Sequence, residues 1–120
     1  MPDPFIKEKL EYILEHSEKI SVYFKGINHP SDFRGTDEGG LKLDAITARL
    51  NALAENFKNI EKVQPGFTEK YITADIEKII KFRDLISHHY EKLDHVIIFE
   101  ICRDKIPGLI SSVKDFLNNL

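Results

Sequence analysis

The chain has 120 residues and a formal net charge of −3, with 17 Lys and Arg against 20 Asp and Glu. Its composition of 42% hydrophobic and 31% charged residues excludes an intrinsically disordered chain. The longest apolar run, Val96-Ile97-Ile98-Phe99, is far shorter than the roughly 20 residues that a bilayer crossing requires. Because the net charge does not attract phosphate, any contact with RNA or DNA must use a local patch.

The single cysteine, Cys102, excludes an internal disulfide and a cysteine-based zinc site. A lone cysteine fits a reducing cytoplasm. The start of the chain, Met1-Pro2-Asp3-Pro4, has neither the basic nor the apolar segment of an export signal. We therefore expect one cytoplasmic domain over residues 1–120, with no membrane association.

Hydrophobic spacing predicts two long helices in the first half of the chain. Helix one is predicted over residues 4–25, with Pro4 at its start, and helix two over residues 41–63, ended by Pro65-Gly66. Residues 26–40, which hold four of the six glycines, are predicted to form a loop. The apolar positions that define the two helices are Ile6, Leu10, Ile13, Ile20, Phe24 and Ile27, and Leu43, Ile46, Leu50, Leu53, Phe57 and Ile60.

Two further helices are predicted in the second half. After a short connection in which Tyr71 and Ile72 are expected to point inward, helix three is predicted over residues 73–93, with Thr73 as its N-cap. Helix four is predicted to start near Asp94 and to kink or break near Pro107. The core stripe expected for helix three is Ile72, Ile76, Ile79, Phe82 or Arg83, Ile86, Tyr90 and Leu93. The pattern predicts an all-α fold, an antiparallel up-and-down four-helix bundle.

The segment from Arg83 to Tyr90 (RDLISHHY) concentrates groups that can carry chemistry. On an ideal helix Arg83 and His88 lie about 140° apart and about 7.5 Å apart along the axis. A straight helix therefore directs them to different places, unless the long arginine side chain wraps round. A kink near Ser87-His88-His89, or a second copy of the helix across a dimer interface, would bring them together.

The outward face of helix three has two interpretations. Lys81, Leu85, His88 and Lys92 share one lane with Lys78 beside it, and Glu77, Asp84 and Glu91 form a parallel acidic lane. One interpretation is a solvated face with weak ion pairs such as Glu77 to Lys81. The other is a basic strip around an exposed His88, suited to a phosphate backbone, in which Asp84 holds the imidazole and raises its pKa.

The spacing Arg83-x4-His88-x-Tyr90 resembles the R-x4-H-x-Y motif of HepT-like toxins in the HEPN superfamily. The resemblance extends to Leu53-Ala54-Glu55, which stands where those proteins often have isoleucine-glycine-glutamate, and to Phe82 before the arginine. Ile106-Pro107-Gly108-Leu109 is similar to their leucine-proline-x-leucine signature. One departure is Ile76, where many members have tryptophan.

The resemblance implies a HEPN-like bundle and a metal-independent endoribonuclease toxin of a type II/VII-like toxin–antitoxin pair, with no cofactor. Arg83 and His88 are then the catalytic pair, in a cleft between the two protomers of a homodimer. The 2′-OH of the RNA substrate is the nucleophile, and the products are a 2′,3′-cyclic phosphate and a 5′-hydroxyl. A histidine can exchange protons at neutral pH and an arginine can stabilise the phosphorane oxygens. The supporting residues are Asp84, His89, Lys81 and Lys92.

The resemblance also implies a protein partner, an MntA-type nucleotidyltransferase antitoxin that silences the toxin by adding AMP to Tyr90. From its position alone, Tyr90 could instead pack in the core with its hydroxyl at the rim. Two other interpretations remain open. The chain could be a non-catalytic module that is the partner or substrate of a minimal nucleotidyltransferase, or a helical bundle in which the motif occurs by chance. The remaining histidines, His16, His29 and His95, are expected at the surface, and Cys102 as a buried small hydrophobe.

Overall fold

The computed structural model describes residues 3–89 and 94–120, and within residues 84–89 it describes the backbone alone. In these ranges the chain forms six α-helices and one 3-10 helix, and no strand. The elements are α1 (Pro4–Phe24), a 3-10 helix (Pro30–Phe33), α2 (Asp37–Val63), α3 (Phe67–Tyr71), α4 (Glu77–His89), α5 (His95–Asp104) and α6 (Ile106–Asn118). The four predicted helices correspond to α1, α2, α4, and α5 with α6, so the all-α class is confirmed.

Helix α1 begins where the sequence predicts. The Asp3 carboxylate accepts a hydrogen bond from the backbone N–H of Phe5 at 2.7 Å, and Pro4 occupies the first turn, where its missing N–H has no intrahelical partner. The apolar face is fully buried, and the hydroxyl of buried Ser17 donates to the carbonyl of Ile13 at 2.7 Å. The residues of this buried face are Ile6, Leu10, Ile13 and Ile20.

Helix α2 begins at Asp37, four residues before the predicted start, and the preceding segment contains the 3-10 helix. The prediction of a loop through residue 40 is therefore wrong. Thr36 caps α2, because its hydroxyl oxygen accepts from the N–H of Gly39 at 3.0 Å. Gly39 is buried against the backbone of Asp32, where a Cβ would overlap the Asp32 carbonyl oxygen. The glycine marks a close approach between two elements and not a loop.

The connection from α2 to α4 contains the short helix α3. The Glu61 carboxylate accepts from the backbone N–H groups of Gly66 (2.8 Å) and Thr68 (3.0 Å) and from the Thr68 hydroxyl (2.9 Å), which ties the end of α2 to the start of α3. Ile72 is buried as predicted, with 5% exposed. Tyr71 is 39% exposed, so its predicted burial is wrong; its ring lies on the rim of the core, 4.8 Å from the Phe67 ring.

Helix α4 begins at Glu77. The prediction that Thr73 is its N-cap is therefore wrong. The N–H and the hydroxyl of Thr73 both donate to the Ser112 hydroxyl oxygen of α6, at 2.9 and 3.2 Å, which holds residue 73 outside the helix. Asp75 accepts from the N–H of Glu77 at 3.2 Å and from Lys105 Nζ at 2.8 Å. A contact between residues 39 positions apart therefore sets where α4 can begin.

Helix α5 begins as predicted, with the Asp94 carboxylate accepting from the N–H groups of Val96 (2.9 Å) and Ile97 (3.2 Å). The last predicted helix is divided at Lys105, between α5 and α6. Lys105 keeps a right-handed helical backbone (φ −111°, ψ −39°), and Pro107 lies in the first turn of α6. The kink or break predicted at Pro107 itself is thus not confirmed.

Helix α2 is the central element, because α1 and α4 both pack against it, while α6 packs against α1. Lys42 near the start of α2 donates to the carbonyl of Lys25 at the end of α1 at 2.7 Å, so these two helices are antiparallel. The radius of gyration is 14.4 Å, in agreement with the value of about 14 Å expected for this length. Helix α2 therefore presents one side to α1 and another to α4.

Candidate active site

Arg83 of α4 lies at the contact between α4 and α2. Its Nη1 is 2.6 Å from Oε2 of Glu55 on α2, and the two side chains are 33% and 45% exposed. The preceding residue, Phe82, is 2% exposed and fixes this turn of α4 to the core. The burial of Phe82 and the ion pair together hold the guanidinium at the surface of the bundle. The sequence predicted either Phe82 or Arg83 in the core at this turn, and the structure places Phe82 there.

Glu55 is the functional candidate to which the sequence analysis assigned no role. It follows buried Leu53 and Ala54 on α2, at the edge of the buried face. The signal in the sequence was the Leu53-Ala54-Glu55 match, which placed a carboxylate next to a buried stretch but did not identify its partner. The contact with Arg83 spans two helices, and only the packing of α4 on α2 reveals it.

His88, the second predicted catalytic residue, lies five residues after Arg83 on the same helix, and α4 is helical through His89. Asp84, His88 and His89 are described as helical backbone only. Tyr90 and Lys92 lie outside the described residues. The catalytic, modified and supporting roles of these residues therefore stay predictions.

Lys81 is the predicted supporting residue whose side chain is described. Its Nζ lies 2.6 Å from Oε1 of Glu77, and both side chains are about 70% exposed (69% and 70%). The hydrogen bond and the negative charge of Glu77 raise the pKa of Lys81. The ion pair that the solvated-face interpretation anticipated is thus present, and Lys81 stays cationic at neutral pH.

A groove of about 550 Å³ runs beside the N-terminal half of α4. Apolar side chains of the α3–α4 region, among them Ile72, Ile76 and Ile80, line it together with Lys81. Arg83 is not among its lining residues. The groove and the Arg83–Glu55 pair are therefore separate features of the α4 surface.

Cys102 and His16 lie outside the motif. The predicted environment of Cys102 is confirmed, whereas His16 is more buried than predicted. Cys102 is buried as predicted, with 4% exposed, and burial raises the pKa of its thiol to about 12, so it is no nucleophile at neutral pH. His16 was expected at the surface, and the structure places it only partly there. It is half-buried, and its Nδ1 lies 2.9 Å from Nη1 of Arg49 on α2.

Among residues 3–83 and 94–120, whose side chains are described, no group of three or more His, Cys, Asp or Glu side chains could hold a metal ion. Of the helices in the described ranges, none is long and apolar enough to span a membrane.

The all-helical bundle, with an R-x4-H-x-Y motif that starts on α4, resembles the HEPN class of proteins. The chain belongs to the HepT-like ribonuclease family, since the family description "Ribonuclease HepT-like" matches residues 13–116. This confirms the family predicted from the motif and the prediction of a ribonuclease.

Two curated relatives are similar to this chain. One, from Caldanaerobacter subterraneus subsp. tengcongensis, is named "Putative RNase TTE0752" and is 30% identical over 108 residues, which cover 90% of each chain. The other, from Methanocaldococcus jannaschii, is named "Putative RNase MJ0127" and is 25% identical over 76 residues, 63% of this chain and 60% of the relative. No solved structure matches this chain with comparable significance.

Proposed function

We propose that this chain is a metal-independent endoribonuclease toxin that cleaves RNA with Arg83 and His88. The observation that carries the proposal is the position of the motif: the segment that matches the HepT-like ribonuclease family, residues 13–116, contains Arg83, His88 and Tyr90. The ion pair of Arg83 with Glu55 supports it, because it holds the guanidinium at the protein surface, where a phosphate can approach.

In the proposed reaction the 2′-oxygen of the substrate attacks the adjacent phosphorus. The O2′–P bond forms and the P–O5′ bond breaks, giving a 2′,3′-cyclic phosphate and a 5′-hydroxyl. His88 takes the proton from the 2′-OH and, as the imidazolium, gives a proton to the departing O5′. Arg83 stabilises the negative charge on the phosphorane oxygens, a contribution of roughly 10²–10³ in rate for a well-placed donor.

Glu55 acts in this scheme as a positioning residue. A guanidinium has five N–H donors in a planar fork, so an ion pair through Nη1 is compatible with phosphate binding. The paired carboxylate fixes the plane of the fork before substrate arrives, and a preformed geometry lowers the barrier.

We infer a homodimer as the active unit from the resemblance to HepT-like toxins. It fits the separation of about 7.5 Å between Arg83 and His88 along one helix axis, since a second α4 can supply the missing partner. Residues 1–120 act as a single HepT-like domain in the cytoplasm. Asp84, His89, Lys81 and Lys92 support the site by holding His88 or by attracting the phosphate backbone.

An MntA-type nucleotidyltransferase antitoxin silences the toxin by transferring AMP to the Tyr90 hydroxyl. The bond between the tyrosine oxygen and the α-phosphorus of ATP forms, the bond from that phosphorus to the β-phosphate oxygen breaks, and pyrophosphate leaves while the hydroxyl proton passes to water. The added phosphate places negative charge two residues after His88, where it repels the RNA backbone.

The test compares purified wild-type chain with His88→Ala on a labelled RNA in the presence of EDTA. We expect cleavage by the wild type, with 2′,3′-cyclic phosphate and 5′-hydroxyl ends, and a loss of at least 100-fold in His88→Ala. Induction should arrest growth for the wild type only. If the wild type leaves RNA intact and growth unaffected while still accepting AMP, the chain is the non-catalytic module.

The modification is tested with the cognate nucleotidyltransferase and labelled ATP. Tyr90→Phe should abolish AMP incorporation, whereas Tyr71→Phe, a change at an exposed tyrosine of α3, should leave it unchanged. Incorporation into Tyr90→Phe at the wild-type level would show that another residue is the acceptor.

A further inference from the structure

A second arginine–histidine cluster lies on the other side of α2, facing α1. Arg49 is half-buried. Its Nη1 lies 2.9 Å from Nδ1 of His16, and its Nη2 donates to the hydroxyl of Tyr23 at 3.5 Å. In the described part of the chain, both side chains that form hydrogen bonds with the guanidinium are thus aromatic and not carboxylates. Nothing in the motif or in the family match assigns a role to this cluster.

Among residues 3–83 and 94–120, whose side chains are described, no carboxylate forms an ion pair with Arg49. Burial and the nearby guanidinium lower the pKa of His16, and the opposing effect of Glu15 is smaller, so the imidazole is neutral at pH 7 and its Nδ1 can accept the Arg49 N–H. Along α2, Arg49 is the only charged residue between positions 45 and 54. Ala45, Ala48 and Ala52 surround it on the helix surface with small side chains. The cluster therefore presents one cationic group and no anionic one within its own contacts.

Aromatic and basic side chains continue from this cluster along α1. They recur at alternating spacings of four and three residues, which keeps them within about 40° of one line on the helix surface. The residues of this α1 lane are Phe5, Lys9, Tyr12, His16, Lys19 and Tyr23. Phe5 and Tyr12 are 40% and 42% exposed, and Lys9 Nζ lies 4.9 and 5.4 Å from their ring centroids.

Exposed rings beside cations are the features with which proteins bind single-stranded nucleic acid, since bases stack on the rings and phosphates contact the cations. The carboxylates of an acidic peptide would use the cations but not the exposed rings of Phe5 and Tyr12. The combination on the α1 lane therefore favours a polynucleotide over an acidic peptide.

We propose that Arg49, with His16 and Tyr23, binds a backbone phosphate of the RNA strand, and that the α1 lane stacks neighbouring bases. This inference rests on the proposed ribonuclease function and adds a contact away from the cleaved bond. Arg49 and Glu55 lie six residues apart on α2, about 9 Å along its axis, and they face α1 and α4 respectively. A strand that crosses α2 can contact both sites.

The test measures binding of a fluorescein-labelled 2′-O-methyl RNA 12-mer, which lacks the 2′-OH nucleophile, by anisotropy from 50 to 300 mM KCl. We expect Arg49→Gln to weaken binding about tenfold at low salt and to reduce the slope of log Kd against log[KCl] by about 0.7, the value for one lost phosphate contact on a single strand. Lys114→Gln, which removes an exposed cation from α6, is the matched control and should leave the slope unchanged.

Tyr23→Phe and Tyr12→Ala separate the two kinds of contact. Tyr23→Phe, which keeps the ring, should weaken binding about threefold, and Tyr12→Ala should weaken binding without changing the salt slope, because stacking releases no counterion. Tyr23→Phe, which is conservative, and Tyr12→Ala, at an exposed position, still test the inference if Arg49→Gln lowers the thermal stability. In the wild type, the His16 imidazole NMR signals should also shift when the 12-mer is added.

Three results would overturn the inference. The first is an Arg49→Gln chain that binds the 12-mer with wild-type affinity and slope while the wild type still cleaves RNA, which leaves the proposed function intact. The second is competition by poly-glutamate as strong as that by unlabelled RNA, which would assign the cluster to an acidic protein. The third is a wild-type chain that neither cleaves nor binds RNA, which contradicts the proposed function as well.

Discussion

At the scale of single residues, the ion pair between Arg83 and Glu55 is the feature on which the candidate site depends. The two side chains are 33% and 45% exposed, and ion pairs at such exposed positions contribute only about 0–1 kcal/mol to the free energy of unfolding. Its importance in the proposed mechanism is therefore geometric, because the ion pair sets the position of the guanidinium.

Glu55→Gln should separate positioning from stability. We expect kcat on RNA to fall about tenfold with KM changed less than twofold, since a neutral amide holds the guanidinium less firmly and small displacements of a catalytic group are costly. The midpoint of thermal unfolding should move by no more than 2–3 °C, roughly what about 0.5 kcal/mol produces in a chain of this size. Asp44→Asn, which neutralises an exposed carboxylate on the same helix, should change neither quantity; an equal loss of kcat there would show that α2 charge in general is responsible.

Cys102 gives a pH prediction whose sign follows from burial. Burial raises the pKa of its thiol to about 12, whereas an unfolded cysteine titrates near about 8.5. The buried thiol therefore contributes stability that is complete below the unfolded pKa and is lost as the pH rises toward 12. Between pH 9 and pH 10 the free energy of unfolding of the wild type should fall by about 1 kcal/mol more than that of Cys102→Ala, measured by urea denaturation. Parallel curves for the two proteins would mean that Cys102 titrates normally.

The sequence predicted interacting residues only where the two partners lie close together along the chain. The motif residues Arg83 and His88 are five positions apart on one helix, and the resemblance to the R-x4-H-x-Y motif predicts them as a pair. Arg83 and Glu55, or Arg49 and His16, lie on different helices, 33 positions apart in the second case. Hydrophobic periodicity assigns a residue to a face of its own helix but does not identify the residue opposite, and for that reason both pairs were missed.

At the scale of secondary structure, the first turn of α2 contains two adjacent glycines in opposite environments. A Cβ on Gly39 would overlap the carbonyl oxygen of Asp32, whereas a Cβ on Gly40 would have no neighbour within 4 Å. Gly39→Ala should therefore lower the free energy of unfolding by about 1–3 kcal/mol, as overpacking does, and Gly40→Ala should raise it by about 0.5–1 kcal/mol by removing glycine flexibility from a helix. Urea denaturation of the two variants measures both values, and effects of the same sign would contradict the described packing of α2 on the 3-10 helix.

The two misplaced helix starts have distinct physical causes. For α2, the glycines suggested a loop, although Thr36 followed by Asp37 and Glu38 is a local N-terminal signal that the sequence already contains. For α4, Thr73 is a good cap by type, but Ser112 of α6 binds its N–H and hydroxyl instead. The first error could have been avoided from local sequence, whereas the second depends on a tertiary contact.

At the scale of the whole molecule, the hydrophobic pattern was sufficient to predict the class of fold. Every apolar position used to define the second helix except Leu43 is buried in the core, because a period of 3.6 residues selects one face over many turns. Short α3 was not predicted, since five residues are too few for such a period. The hydrophobic pattern also did not predict how the helices pack around α2. It identifies the buried face of a helix but not the helix that covers this face.

The central claim is that Arg83 and His88 from two protomers form one ribonuclease site. The most direct measurement mixes purified Arg83→Ala with His88→Ala, each inactive alone, under conditions that exchange subunits, and follows cleavage of a labelled RNA. A heterodimer then contains one composite site with both residues intact, so we expect recovery of up to about a quarter of wild-type activity in an equal mixture. A mixture that stays as inactive as either variant, although subunit exchange is verified by mass, would contradict a site shared between protomers.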